Sequence, residues 1–176
     1  MTWTSPFPAE PPTLLITDGP LTGDERAILL GMLARQRSCL LNVCAGLTPA
    51  QLAERAPAPS TLSLLGLVRH LTKVERIWLR QRAGGDTVAP LHGGVGDDSD
   101  FDDAYAAHAE RDVEAYLAEL TLADAALAGV PLDHEVDFRG RPMSVRAVLV
   151  HMNTEYARHL GHADMLRERI DGVTGR

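Results

Sequence analysis

Cysteine and lysine are nearly missing from this chain of 176 residues: it carries Cys39, Cys44 and the single Lys73. On a helix the five-residue spacing of the two thiols points them apart, which suits reduced thiols in a cytosol and excludes a disulfide framework. Aromatic residues are 5% of the chain, and no apolar run approaches the ~20 residues that cross a bilayer. There is no basic run, and the formal net charge of −7 argues against a surface that tracks phosphates, so neither nucleic acid nor membrane is an expected partner. The N-terminus lacks a basic start followed by an apolar core, so no secretory leader is expected and the chain reads as cytoplasmic. A chain of this length buries a substantial core without disulfides or structural metal, which makes any metal functional.

What is present is helical periodicity. Residues 1–20, with Pro6, Pro8, Pro11 and Pro12, predict an extended arm, laid on the body through Trp3, Phe7, Leu14 and Leu15. Residues 21–176 predict one helical domain. Ile28, Leu29, Met32, Leu33, Cys39, Leu40 and Val43 mark a first long helix over 24–45, stopped by Gly46. Thr48, Pro49 and Gln51 predict a capping box and a short helix. A second long helix follows from Thr61 to about Arg82, with Leu64, Leu67, Val68, Leu71, Val74 and Trp78 on its apolar stripe. Residues 86–103, with three glycines and a cluster of acids from Asp97 to Asp103, predict a long solvated crossover; their spacing lacks the alternating ligands and closing Glu of an EF-hand. A third long helix is expected over 105–128, with Val113, Tyr116, Leu117, Leu120, Ala123 and Leu127 inward. A small hairpin is expected over 132–143 and a fourth long helix over 144–170. Four long amphipathic helices without a sustained strand pattern give an all-α fold, a four-helix bundle with a crossover between the second and third.

One stripe of the fourth helix carries chemistry. His151, Glu155, His159 and His162 recur at four, four and three residues and share the side of Val148 and Leu166. Imidazoles and a carboxylate facing a core are costly unless paired or bound to a cation, so the stripe predicts a divalent metal site. A second helix must contribute, and His70 lies on the apolar side of its helix, with Gly66 one turn earlier leaving room beside it. His70, Glu155 and His159 form a His2Glu set with open coordination positions, as catalytic zinc sites have, and a net charge near +1 that lowers the pKa of a bound water or thiol. His151 and His162 are candidates for supporting partners or alternative ligands. Arg69, Arg76 and Arg158 are candidates for holding a substrate carboxylate or a cofactor, or for pairing with Glu75 and surface acids. His92, His108 and His134, in or near exposed segments, are read as surface residues without a role.

The run Gly66-Leu67-Val68-Arg69-His70-Leu71 with Val74-Glu75 and Trp78, followed by Val150-His151-Met152, Glu155, Ala157-Arg158-His159 and Gly161-His162-Ala163-Asp164, resembles the DinB-like superfamily. It is most similar to the mini-circle-type members found in actinobacteria, and the resemblance spans residues 24–172. It implies a four-helix bundle of up-down-down-up order holding a divalent metal through one residue of helix two and two of helix four, here His70, Glu155 and His159. Glu155, where many members have histidine, matches the variant of the mycothiol-dependent maleylpyruvate isomerases. That isomerase carries an additional C-terminal domain, so its reaction is not carried over. The resemblance further implies zinc, with nickel, iron or manganese as other choices, and activation of a low-molecular-weight thiol such as mycothiol for transfer to an electrophile or for isomerisation. Two other readings stand beside it: a hydrolase acting through metal-activated water, and a non-catalytic helical module that forms a homodimer or stores metal.

Overall fold

Asp24 accepts the Ala27 N–H and opens α1 (Glu25–Cys44); Gly46, at φ 74°, turns the chain away after its end. Thr48 and Gln51 close the reciprocal capping box on α2 (Pro49–Leu52), with Pro49 in its first turn. The computed structural model describes residues 2–8 and 19–174. α3 (Leu64–Glu75) starts later than Thr61, because the Ser63 hydroxyl accepts the Gly66 N–H and sets the first turn there. Residues Arg76–Ala83 continue the same rod as a π-helix, closed by Gly84 N–H on the Leu79 carbonyl at 2.8 Å. After the crossover come α4 (Ser99–Asp102), a 3-10 turn at Ala106–His108, and α5 (Ala109–Leu127). The hairpin pairs β1 (Glu135–Phe138) with β2 (Arg141–Ser144), Phe138 opposite Arg141. Its two turn residues, Arg139 and Gly140, both have positive φ, 57° and 77°, as a tight turn between right-twisted strands requires. Ser144 caps α6 (Val145–Asp171).

Side-chain contacts give the helix directions. Arg146 meets Glu25, Asn153 donates to the Leu29 carbonyl and Arg167 to the Val43 carbonyl, so α1 and α6 run the same way. Arg69 binds Asp112 and Arg76 binds Glu119, so α3 and α5 also run the same way. His70 faces His159 while Trp78 faces His151, which makes α3 and α6 antiparallel. These pairings give an up-down-down-up order with residues 84–98 leading across. The core between the helices holds Leu33, Leu40, Leu64, Leu67, Leu71, Tyr116, Val148, Met152 and Tyr156, all fully buried. At about 1.5–3 kcal/mol for each large apolar side chain, that burial carries the fold.

Some expectations change. Leu117 is 37% exposed, because its neighbour Tyr116 takes the inward position on α5. In the arm, Ser5 pairs with the 46–47 backbone and Trp3 packs on the core, but Phe7 is 68% exposed; Leu14 and Leu15 lie outside the described residues. Neither Arg69 nor Arg76 takes Glu75. That carboxylate is fully buried and accepts from Arg37 Nε and Nη2 at 2.8 and 2.7 Å and from Tyr156 Oη at 2.7 Å, with Tyr116 Oη 3.0 Å beyond. Burial alone would push the Arg37 pKa down, but Glu75 holds it well above the usual range. The two phenols are raised chiefly by burial and stay neutral.

Candidate metal centre

Between the antiparallel α3 and α6, the ligating atoms of His70, Glu155 and His159 lie within 4.8 Å of one another. The spacing in the chain explains this: Glu155 and His159 are one turn apart on α6, and the His70 ring meets the His159 ring at 4.6 Å from across the cleft. Their side chains are 20%, 24% and 13% exposed, so the cluster is sheltered yet open on one side. Gly66 does leave room beside His70, and the occupant is Phe101. A Cβ at residue 66 would stand 3.1 Å from the Phe101 ring, which stacks on the His70 imidazole at 4.9 Å.

The crossover holds a residue that sequence reasoning missed. The acidic cluster is not solvated throughout, because Asp100 is 2% exposed and its Oδ2 lies 2.8 Å from His70 Nδ1 and 3.4 Å from Lys73 Nζ. Burial works to raise the Asp100 pKa, but the His70 hydrogen bond and the Lys73 charge outweigh it and hold the group ionised. An ionised carboxylate can only accept, so His70 donates from Nδ1 and its Nε2 keeps a free lone pair. Such carboxylate–histidine pairs orient metal-ligating imidazoles. In the sequence, the signal was Phe101, an apolar residue set inside a polar run.

The other candidates separate. His162 Nδ1 is 3.4 Å from His159 Nδ1, leaving His159 Nε2 on the side of Glu155, 3.4 Å from its Oε2. Burial first, then the nearby His70, lowers the His159 pKa to about 4, so its ring is neutral with a lone pair to give. His151 Nε2 is 3.8 Å from Glu155 Oε1 and its ring leans on Trp78 at 4.3 Å, a contact the sequence did not reveal. Arg158 is exposed on α6, while Arg69 and Arg76 are taken up by the acids of α5. His134 is exposed and His108 stands beside the exposed Tyr105 ring. His92, however, is half-buried at φ 57°, its Nε2 buried without a partner among the described residues, and burial followed by the Arg69 charge lowers its pKa to about 4. Cys39 and Cys44 are both buried with no disulfide between them, and burial pushes the Cys44 thiol up to about 12.

This donor set suits a divalent ion. Bonds of about 2.1 Å to zinc put neighbouring ligands roughly 3.4 Å apart in a tetrahedron. The Glu155–His159 pair already has that separation, at 3.4 Å, so His70 has only to draw in from 4.8 Å or less. Among the described residues no hydrogen-bond donor satisfies the Glu155 carboxylate, and a cation would.

A helical bundle of this order, with a His–Glu–His cluster shared by its second and last long helices, is a DinB-like protein. The model of the mycothiol S-transferase family matches residues 28–172, most of the chain, and the protein belongs to that family. No curated protein and no solved structure matches the chain.

Proposed function

We propose that this protein is a metal-dependent thiol S-transferase of mycothiol type, with zinc, or nickel, iron or manganese, held by His70, Glu155 and His159. The observation that carries the proposal is the convergence of those three ligating atoms within 4.8 Å in a member of the mycothiol S-transferase family. A divalent ion bound there supplies positive charge that lowers the pKa of a thiol and holds it as thiolate. Asp100 orients His70 by taking its Nδ1 proton, and Glu155 limits the charge of the site with its own. His162 steadies His159, and Phe101 shields the His70 face from water. Arg158 serves as a contact to the thiol's polar portion.

No helix is long and apolar enough to cross a membrane, which agrees with small polar substrates taken from water. The test is metal analysis of protein purified without an affinity tag, followed by turnover of a model electrophile with and without a sugar-linked thiol. The expected result is about one ion per chain and a rate that needs both ion and thiol, rising with pH through a pKa well below the free-thiol value of ~8.5. Turnover without thiol would assign a hydrolase instead, and a metal-bearing protein inert to both would assign a storage or homodimerising module. Replacing Cys39 and Cys44 by Ser should leave thiol-dependent turnover unchanged, since buried thiols pushed up in pKa are poor nucleophiles.

A further inference from the structure

Arg82 stands apart from the arginines around it. Arg26, Arg37, Arg69, Arg76, Arg80 and Arg167 each donate to carboxylates or carbonyls, whereas Arg82, half-buried, makes no hydrogen bond or ion pair among the described residues. Its guanidinium lies instead 4.5 Å from the Trp78 ring centre and 5.0 Å from that of Phe138, whose rings also touch each other. The π-helix makes this possible. With more than four residues per turn, Trp78 and Arg82 fall one above the other, and the hairpin brings Phe138 against them. A guanidinium held by its faces keeps its N–H groups in plane, where a carboxylate takes them two at a time.

The place of this arginine gives it meaning. Trp78 touches His151, and His151 lies 3.8 Å from Glu155, about 6 Å down α6. The cleft between α3 and α6 therefore has the candidate metal ligands at one end and an unpaired, clamped arginine at the other. We propose that Arg82 anchors the carboxylate of the electrophilic substrate, so that the second substrate is a small carboxylic acid of about aryl-carboxylate length. The inference rests on the reading above only in placing the reacting thiol at the His70 end.

The test needs no turnover. Protein as purified is titrated with benzoate and, separately, with benzamide, following the Arg82 Nε–Hε and Trp78 indole N–H resonances by NMR. Benzoate is expected to shift both and to bind at least about tenfold more weakly to Arg82→Gln, the loss of a charge-assisted pair, while benzamide binds poorly to either. Phe138→Leu, which keeps the charge and removes one ring of the clamp, should weaken benzoate to an intermediate degree and serves if Arg82→Gln does not fold. Failure of thiol transfer would overturn the proposed function and leave these readouts standing. Equal binding of benzoate and benzamide, benzoate binding that survives Arg82→Gln, or no benzoate binding would overturn the anchor itself.

Discussion

Two glutamates on facing helices, Glu75 and Glu155, meet opposite fates. Glu75 is fully buried and saturated: Arg37 grips it with two N–H groups and Tyr156, the very next residue after Glu155, donates a third bond. Glu155 is a quarter exposed and meets two imidazoles at 3.4 and 3.8 Å, with no donor completing either oxygen among the described residues. One turn of the face of α6 thus separates a closed ion pair from an open ligand set. The closed one specifies how the helices pack, and the open one is free for chemistry. A saturated carboxylate has no lone pair left for a metal, however close the histidines.

The sharpest break in this comparison is at the closed site. Glu75→Leu leaves Arg37 charged and buried with only Asp124 beside it, and should cost about 3–5 kcal/mol in denaturant unfolding. Glu155→Gln should change unfolding by less than about 1 kcal/mol, as half-exposed substitutions do, yet release metal. Equal destabilisation by both would mean that Glu155 is structural as well.

Within the open site the contrast is one of metal affinity. His159→Ala should weaken metal binding by more than about a hundredfold, beyond what loss of an orienting partner costs, with the helical circular dichroism intact. Asp100→Asn should fall below it, at roughly 10–100-fold, because His70 remains but loses the acceptor that sets its tautomer. Titration with a competing chelator reads both, and the reverse order would make Asp100 the stronger determinant.

The smallest effect is on pH dependence. Burial lowers His159 from an ordinary 6.5 to about 4, so the metal-free folded state prefers the neutral ring. Its contribution to stability is present in full above ~6.5 and is lost progressively as pH falls to about 4, since the unfolded chain takes the proton first. Unfolding midpoints across that window should flatten in His159→Ala relative to wild type. His92, also lowered to about 4, would keep a residual slope that His92→Ala removes.

Much of this was legible in residue order. Caps at Asp24, Thr48 and Ser144 carry local signals, and the helices they start were readable, as was the i, i+4 relation of Glu155 and His159. His70 followed because one helix cannot surround an ion. Asp100 and the Arg37–Glu75 pair were not legible, for both join residues more than 25 positions apart and depend on how the helices meet. An acid in an acidic run is normally wet, and only the packing of Phe101 on His70 drags its neighbour inside. The π-helix escaped because eight residues are too few for a 3.6-residue period to part visibly from a longer one.

That segment also constrains how the gene can change length. A π-helix behaves as an α-helix that has accepted one inserted residue, and removing a residue between Ile77 and Arg80 would let the rod relax to ordinary turns. Everything after the deletion would swing by about 100° relative to what precedes it. Trp78 and Arg82 would part, while His70, upstream, kept its place. Here a frame-preserving loss of one codon, with no loss of hydrophobicity or charge, disconnects the two ends of the cleft.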